Sequence, residues 1–189
     1  METLLRSISS KKYNLDGYNL ETVDNIFTLD SRLKYYDFFR KSNFKIGWED
    51  TGEIEVQHYK YLHSPYSKED LESLGFAEDL FNTEFGQRVF SSYYIKRCVV
   101  NLSKPGDFYL NHTHGDETVL LYYANIRWNE EWSGETLFYN NDMQSILFAS
   151  PYIPGRLILF DGKLPHTIRS QSSIAPHYRF TFSIFLTEK

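Results

Sequence analysis

The repeat of apolar and polar positions changes near residue 93. Before it the texture is that of helices and loops. In DSRLKYYDFFRK, residues 30–41, Leu33, Tyr36 and Phe39 recur at spacing three, which lines one face of a helix that Asp30 can cap. SKEDLESLGF predicts a second, short helix: Ser67 with Asp70 three residues on resembles a capping box, and Gly75 can close the last turn. AEDLFNTEFGQRVFSS predicts a third helix, interrupted at Gly86. After residue 93 short runs rich in β-branched and aromatic residues alternate with turn residues. Strands are predicted in YYIKRCVVNL, DFYLNHTH, TVLLYYANI, ETLFYN, SILFAS, GRLILFD, HTIRS and YRFTFSIFL, punctuated by KPGD, HGDE, NEEWSG, YNND, YIPG and DGKLP. Several of these runs are too apolar for a sheet with one wet face, so a double-sheet jelly roll or a barrel is expected, with the helical first half packed outside it.

Composition alters this picture only in places. A chain of 189 residues suits a single domain, read here as 1–189, with 1–92 a helical and loop buttress and 93–189 the β core. The aromatic share is 17%, which suits the bulky pleated faces of a β-rich fold; a stacking surface for bases or proline-rich peptide is the alternative. A net charge of −5 offers no basic footprint, so nucleic acid is not an expected partner. The single cysteine, Cys98, sits in the apolar RCVVNL and reads as a buried thiol, which excludes an internal disulfide and favours a reducing compartment. No apolar run approaches the roughly 20 residues of a membrane span, and METLLRSISSKK lacks the apolar centre of a signal peptide. A cytoplasmic location, away from membranes, is therefore expected.

The candidate chemistry begins in NHTHGDET, residues 111–118. Side chains at i, i+2 and i+4 of a strand share a face, so an extended FYLNHTHGD projects His112, His114 and Asp116 together. Such a row, if inward, must be hydrogen-bonded, ion-paired or bound to metal, whereas on a wet edge strand it needs no purpose. His166 follows an apolar strand and a tight turn in LFDGKLPHTIRS, 50 residues beyond Asp116. Arg179 and Thr181 lie two apart on the last strand among apolar neighbours. A guanidinium there wants a planar anion, either a dicarboxylic acid bound beside a metal or a carboxylate of the protein itself, unless it sits at the open end of the strand.

In order along the chain, His114-Gly-Asp116, YYAN at 122–125, WSGETLFY at 132–139, PGRLILFDGKLPH at 154–166 and Arg179-Phe-Thr181 resemble the iron(II)- and 2-oxoglutarate-dependent dioxygenases, specifically their prolyl 4-hydroxylase-like branch. The resemblance covers about residues 93–189. It implies an α+β, mainly β fold, the double-stranded β-helix or jelly roll, with buttressing N-terminal helices. It also implies Fe(II), 2-oxoglutarate as co-substrate and O2, with succinate and CO2 released as a substrate C–H is hydroxylated. Two histidines and a carboxylate on one face of iron leave three positions open. The family pattern assigns the distal carboxylate of 2-oxoglutarate to Arg179 and Thr181 and offers Tyr123 as a second contact, against a plain core role for that tyrosine. A prolyl residue of a peptide or protein is the first substrate expected; a free amino acid or another small molecule is the second. A non-catalytic β-sandwich binding module that lost its iron is the rival of another class.

Two registers compete at the metal. An aromatic residue three before the first ligand histidine is common in prolyl hydroxylases, and Tyr109 stands three before His112, which makes the ligands His112, His114 and His166. Sliding by two gives His114, Asp116 and His166, the register preferred here because a carboxylate offsets iron charge; His112 is then an alternative or neighbouring group. Against it, only Glu117 separates Asp116 from the next strand. Arg179 lies 13 residues after His166, farther than the family pattern has it, a difference that SQSSIAP can absorb as a longer loop. Arg169 is expected at the mouth or in solvent, Glu135 and Asp161 in structural turns, and Trp128 and Trp132 packed over a loop; contact with substrate is the alternative for these last four.

Overall fold

The computed structural model describes residues 7–47, 62–107 and 109–189. The first half begins with strands rather than loops. β1 (Ser9–Leu15) and β2 (Tyr18–Asp24) form a hairpin in which Leu15 pairs with Tyr18. The two residues between them, Asp16 and Gly17, both have positive φ, the twist-matched two-residue turn that Asp-Gly favours. α1 (Leu29–Phe39) follows, capped by Thr28 rather than by Asp30; the Thr28 hydroxyl accepts from the Ser31 amide. Beyond it lie β3 (Lys45–Ile46) and β4 (Leu62–Tyr66).

α2 (Lys68–Leu74) is the expected short helix: Ser67 and Asp70 cap each other's backbone amides, and Gly75 closes it in the left-handed conformation. The third predicted helix is two. α3 (Phe76–Phe81) ends at Asn82, and α4 (Glu84–Ser92) is restarted by the Thr83 hydroxyl, which accepts from the Gly86 amide. Gly86 is therefore inside a helix and not the break. Its role is close approach, since a Cβ there would lie 1.9 Å from the Leu80 carbonyl oxygen.

The second half supplies β5 (Tyr93–Ser103), β6 (Thr118–Tyr123), β7 (Thr136–Tyr139), β8 (Ile146–Ser150), β9 (Leu157–Asp161), β10 (His166–Ile168) and β11 (Arg179–Glu188). Seven of the eight predicted strands are present. The eighth, DFYLNHTH, forms no strand among its described residues and makes a single bridge, His112 to His166; its Phe108 lies outside the described residues.

All pairings between strands are antiparallel. Among the described residues eight strands form one sheet in the order β1-β2-β9-β6-β11-β5-β4-β3, and three form a smaller one, β10-β7-β8. The boundary expected at residue 93 is thus not a boundary in the sheet: strands from the first half extend the large sheet on both sides.

Two cores follow from the alternation of side chains. On one face of the large sheet, Phe180, Phe182, Ile184 and Leu186 of β11 pack with Tyr122, Val100 and the helical residues Tyr35, Phe39, Leu71, Phe76 and Leu80. On the other face, Val119, Leu121, Tyr123, Ile158 and Phe160 meet Phe138 of the small sheet, and the Phe138 and Phe160 rings touch edge to face at 5.1 Å. Truncating Phe138, fully buried between the sheets, to alanine is expected to cost about 3–5 kcal/mol. Cys98 is buried in the first core, and burial pushes its thiol up to about 12.

Candidate metal and anion site

Residues of both sheets line a cavity of about 960 Å³. Its floor is β11. Because successive strand residues alternate, Arg179, Thr181, Ser183 and Phe185 line the cavity while their neighbours fill the helix-covered core. Asn101 and Val99 of β5 and Val119 and Leu121 of β6 continue the floor, and His112, His114 and His166 line the cavity with them, the His114 ring edge-on to Phe185 at 4.8 Å.

The three imidazoles converge. Their ring centroids are 4.4, 4.9 and 5.0 Å apart, and one nitrogen from each lies within 4.8 Å of the others. His166 starts β10, and His112 bonds to it as its bridge partner through two backbone hydrogen bonds of 3.0 Å. In both residues Nδ1 faces the carbonyl oxygen two positions earlier, Leu110 for His112 at 3.0 Å and Leu164 for His166 at 2.9 Å. A carbonyl can only accept, so Nδ1 carries the proton, which makes Nε2 the ring nitrogen able to ligate a metal. Burial holds all three rings neutral, with His114 lowered to about 3 and His166 well below the ordinary value; the neighbouring imidazoles add to both. Neutral imidazole is the form that ligates a metal.

Asp116 is not part of this group. The structure does not bring Asp116, expected as a ligand in the preferred register, to the histidines, because the chain stops being extended at His114. Gly115, at φ +61°, and Asp116 make a turn that the Glu117 amide closes onto the His114 carbonyl. The alternation that would have pointed Asp116 inward ends there. Its side chain is 92% exposed at the cavity rim and bonds Lys163 Nζ at 2.7 Å, which holds the carboxyl below its ordinary range. The turn is pinned by Gly162: the His114 amide donates to its carbonyl and its amide to the Glu117 carbonyl, each at 2.7 Å. A Cβ on Gly162 would sit 2.2 Å from the Glu117 oxygen. His112, which the preferred register left outside, stands with His114 and His166 instead.

Arg179 is 1% exposed, and no carboxylate among the described residues pairs with it. Its Nε donates to the Gly134 carbonyl at 2.8 Å and Nη2 reaches the Thr136 hydroxyl at 3.4 Å, while Nη1 is buried with no partner. Tyr152 and Tyr123 present ring faces to it at 4.8 and 5.4 Å. An unpaired buried guanidinium costs several kcal/mol, which aromatic faces offset only in part. Its unpartnered Nη1 has the geometry to meet a planar anion.

Thr181, buried, lines the cavity beside Arg179. Tyr123 does not: its ring stacks on Tyr152 between the sheets, and its hydroxyl donates to Thr136 at 2.7 Å. Thr136 is the residue that sequence reasoning missed. It touches both Tyr123 and Arg179 and lines the cavity, and the Gly134-Glu135-Thr136 run within WSGET was its only signal. Arg169 is exposed and lies 3.6 Å from Glu135; Asp161 closes a turn onto the Lys163 amide; Trp128 packs edge to face on Trp132 and donates to the Ser133 carbonyl.

No family sequence model and no curated protein sequence matches the chain. Solved structures do. A prolyl-4-hydroxylase of Pseudomonas putida superposes with a TM-score of 0.62 at 15% identity, over 96% of this chain and 92% of that one. The chain has the fold of the prolyl 4-hydroxylases. A prolyl hydroxylase of Trichoplax adhaerens, solved with a peptide fragment of the hypoxia inducible factor, matches over 93% of this chain and 85% of that one, at 15% identity and a TM-score of 0.62. The prolyl 4-hydroxylase fold also serves other chemistry. A non-heme α-ketoglutarate-dependent epimerase of nogalamycin biosynthesis covers 91% of this chain and 78% of its own, with 10% identity and a TM-score of 0.63.

Proposed function

We propose that the chain is an iron(II)- and 2-oxoglutarate-dependent oxygenase built on a double-stranded β-helix within a single domain, with His112, His114 and His166 as its metal ligands. The observation that carries this reading is one cavity lined both by three converging imidazoles and by a buried guanidinium whose Nη1 has no partner. The donor set fits a borderline first-row metal, which imidazole suits, and the guanidinium fits a carboxylate. When bound, iron and 2-oxoglutarate supply an oxidant that converts a C–H to C–OH, with O2 consumed and succinate and CO2 released.

The chain's own residues do the rest. The carbonyls of Leu110 and Leu164 orient the ligand rings and fix their tautomer. Arg179 and Thr181 hold the distal carboxylate of the co-substrate, and Thr136, with Tyr123 behind it, keeps the guanidinium in line. The apolar floor of Val99, Val119 and Leu121 keeps water from the reacting carbon.

A prolyl residue in a peptide is the preferred substrate, supported by two neighbours named for prolyl hydroxylation; the nogalamycin epimerase supports a small molecule as the second reading. Among the described residues no helix is long and apolar enough to cross a membrane, and the lone buried thiol fits a reducing, cytoplasmic setting. Anaerobic addition of iron(II) and 2-oxoglutarate to the purified protein tests the class. A visible charge-transfer band is expected, with succinate formed once air is admitted. No band at saturating reagents contradicts the proposal and favours a binding module that has lost iron.

A further inference from the structure

The cavity has a second polar end. β4 is hydrogen-bonded to β5, and β5 to β11, with His63 opposite Asn101 and Asn101 opposite Thr181. The three residues therefore form a row across the sheet, and strand spacing places His63 about 10 Å from Thr181. Leu62 and Tyr66 of β4 pack into the helix-covered core, so His63 projects from the opposite, cavity-facing side. It is 7% exposed, and its Nδ1 is buried with no hydrogen-bond partner. Asn101 spends one amide hydrogen on the Ser183 hydroxyl, at a long 3.4 Å, which leaves its other N–H and its carbonyl oxygen. An unmet buried polar atom costs about 1–3 kcal/mol, so this end is built for something that bonds to it.

The lining tells what. The carboxylates on the cavity wall, Asp116 and Glu117, stand at the metal-side rim and are bound by Lys163, Lys96 and Arg97. Among the described residues no carboxylate stands beside His63 to meet a cationic group. An anion is better met at Arg179. Pro65 and Val99 flank the row with apolar surface. What fits is a neutral group that both donates and accepts hydrogen bonds, carried on an apolar body.

We propose that His63 and Asn101 form a subsite for a substrate amide, of the kind found in a peptide backbone or a carboxamide. The assignment rests on the oxygenase reading for the rest of the cavity. Asn101 pairs with the amide through its own carboxamide, donor to acceptor and acceptor to donor, and His63 takes the remaining hydrogen bond. The subsite fixes where the reacting carbon of the substrate stands relative to the three histidines.

The probe is N-acetyl-L-prolinamide, added to protein loaded with zinc and 2-oxoglutarate, with binding followed by ligand-observed NMR and 2-oxoglutarate binding measured separately by calorimetry. The wild type is expected to retain the probe at millimolar concentration. His63→Phe and Asn101→Leu, which keep volume and remove the polar atoms, are expected to weaken retention tenfold or more, to leave the 2-oxoglutarate isotherm in place and to melt no lower than the wild type. His63→Gln, which restores a hydrogen-bonding group, is expected to recover much of the loss. Probe retention unchanged in both apolar variants overturns the subsite, as does a wild type that binds zinc and 2-oxoglutarate but not the probe; in either case the oxygenase reading stands. Failure of the wild type to bind zinc and 2-oxoglutarate overturns both.

Discussion

Two segments supply the polar groups of the cavity, and they obey different rules. β11 is a full strand paired on both sides, to β5 and to β6. Along it the period of two holds from Arg179 to Phe185, so residues that share a face in sequence share it in space. The segment from Tyr109 to Glu117 has one bridge, at His112, and then a turn. Its side chains are aimed by particular backbone bonds and not by a ladder. Periodicity places side chains only where a ladder of hydrogen bonds enforces it.

This contrast can be broken from the strand side first, where the effect is largest. Arg179→Ala removes a charge whose place the ladder fixes, so the concentration of 2-oxoglutarate needed for half saturation is expected to rise about a hundredfold, the scale of two charge-assisted hydrogen bonds. Metal binding, read by calorimetry, should be nearly unchanged. A shared loss of both would mean that Arg179 supports the fold of the whole cavity and not the anion alone.

The turn side is tested by Gly162→Ala. The added methyl meets the Glu117 carbonyl, and about 1–3 kcal/mol of stability should be lost, with weaker metal binding because the His114 backbone is moved. Thermal melting and a metal titration read the two effects. A variant that melts lower but binds metal as before would separate the turn from the ligand it carries.

Thr136→Val is smaller. It keeps shape but leaves the Tyr123 hydroxyl with only the Ser150 carbonyl at 3.4 Å, and about 1 kcal/mol of stability with a several-fold loss in 2-oxoglutarate affinity is expected.

The histidines give a weaker, pH-dependent signal. Their folded values lie below the ordinary 6.5, so as pH falls through 6.5 the unfolded chain takes up protons that the fold refuses, and stability drops. The melting temperature of metal-free protein should fall between pH 7 and pH 5, and replacing the three histidines by glutamine should flatten that slope. A slope that persists in the triple variant would place its origin elsewhere.

Much of the β half was legible because its strands alternate or run apolar within a ladder, as in LILFD and RFTFSIFL. Arg179 and Thr181 could be placed on one face for the same reason. The hairpin of β1 and β2 was missed although YNLDGYNL carries the Asp-Gly turn signal, because the polar, largely exposed β1 has no apolar face to announce it. The site at the turn was half legible. His114 and His166 belonged to the expected set, but the choice between His112 and Asp116 depended on where extension stops, which one glycine at positive φ and the approach of Gly162 decide. Thr136 was hidden for a different reason: its partner, the Arg179 guanidinium, is 43 residues away in sequence.

The claim at the centre of this account is that three histidines, without Asp116, hold the metal. The direct measurement is iron(II) affinity under anaerobic conditions for Asp116→Ala and His112→Ala side by side. The account predicts that Asp116→Ala binds as the wild type does, losing only its surface contact to Lys163, and that His112→Ala loses affinity by a hundredfold or more. Weakened binding in Asp116→Ala with normal binding in His112→Ala would contradict it.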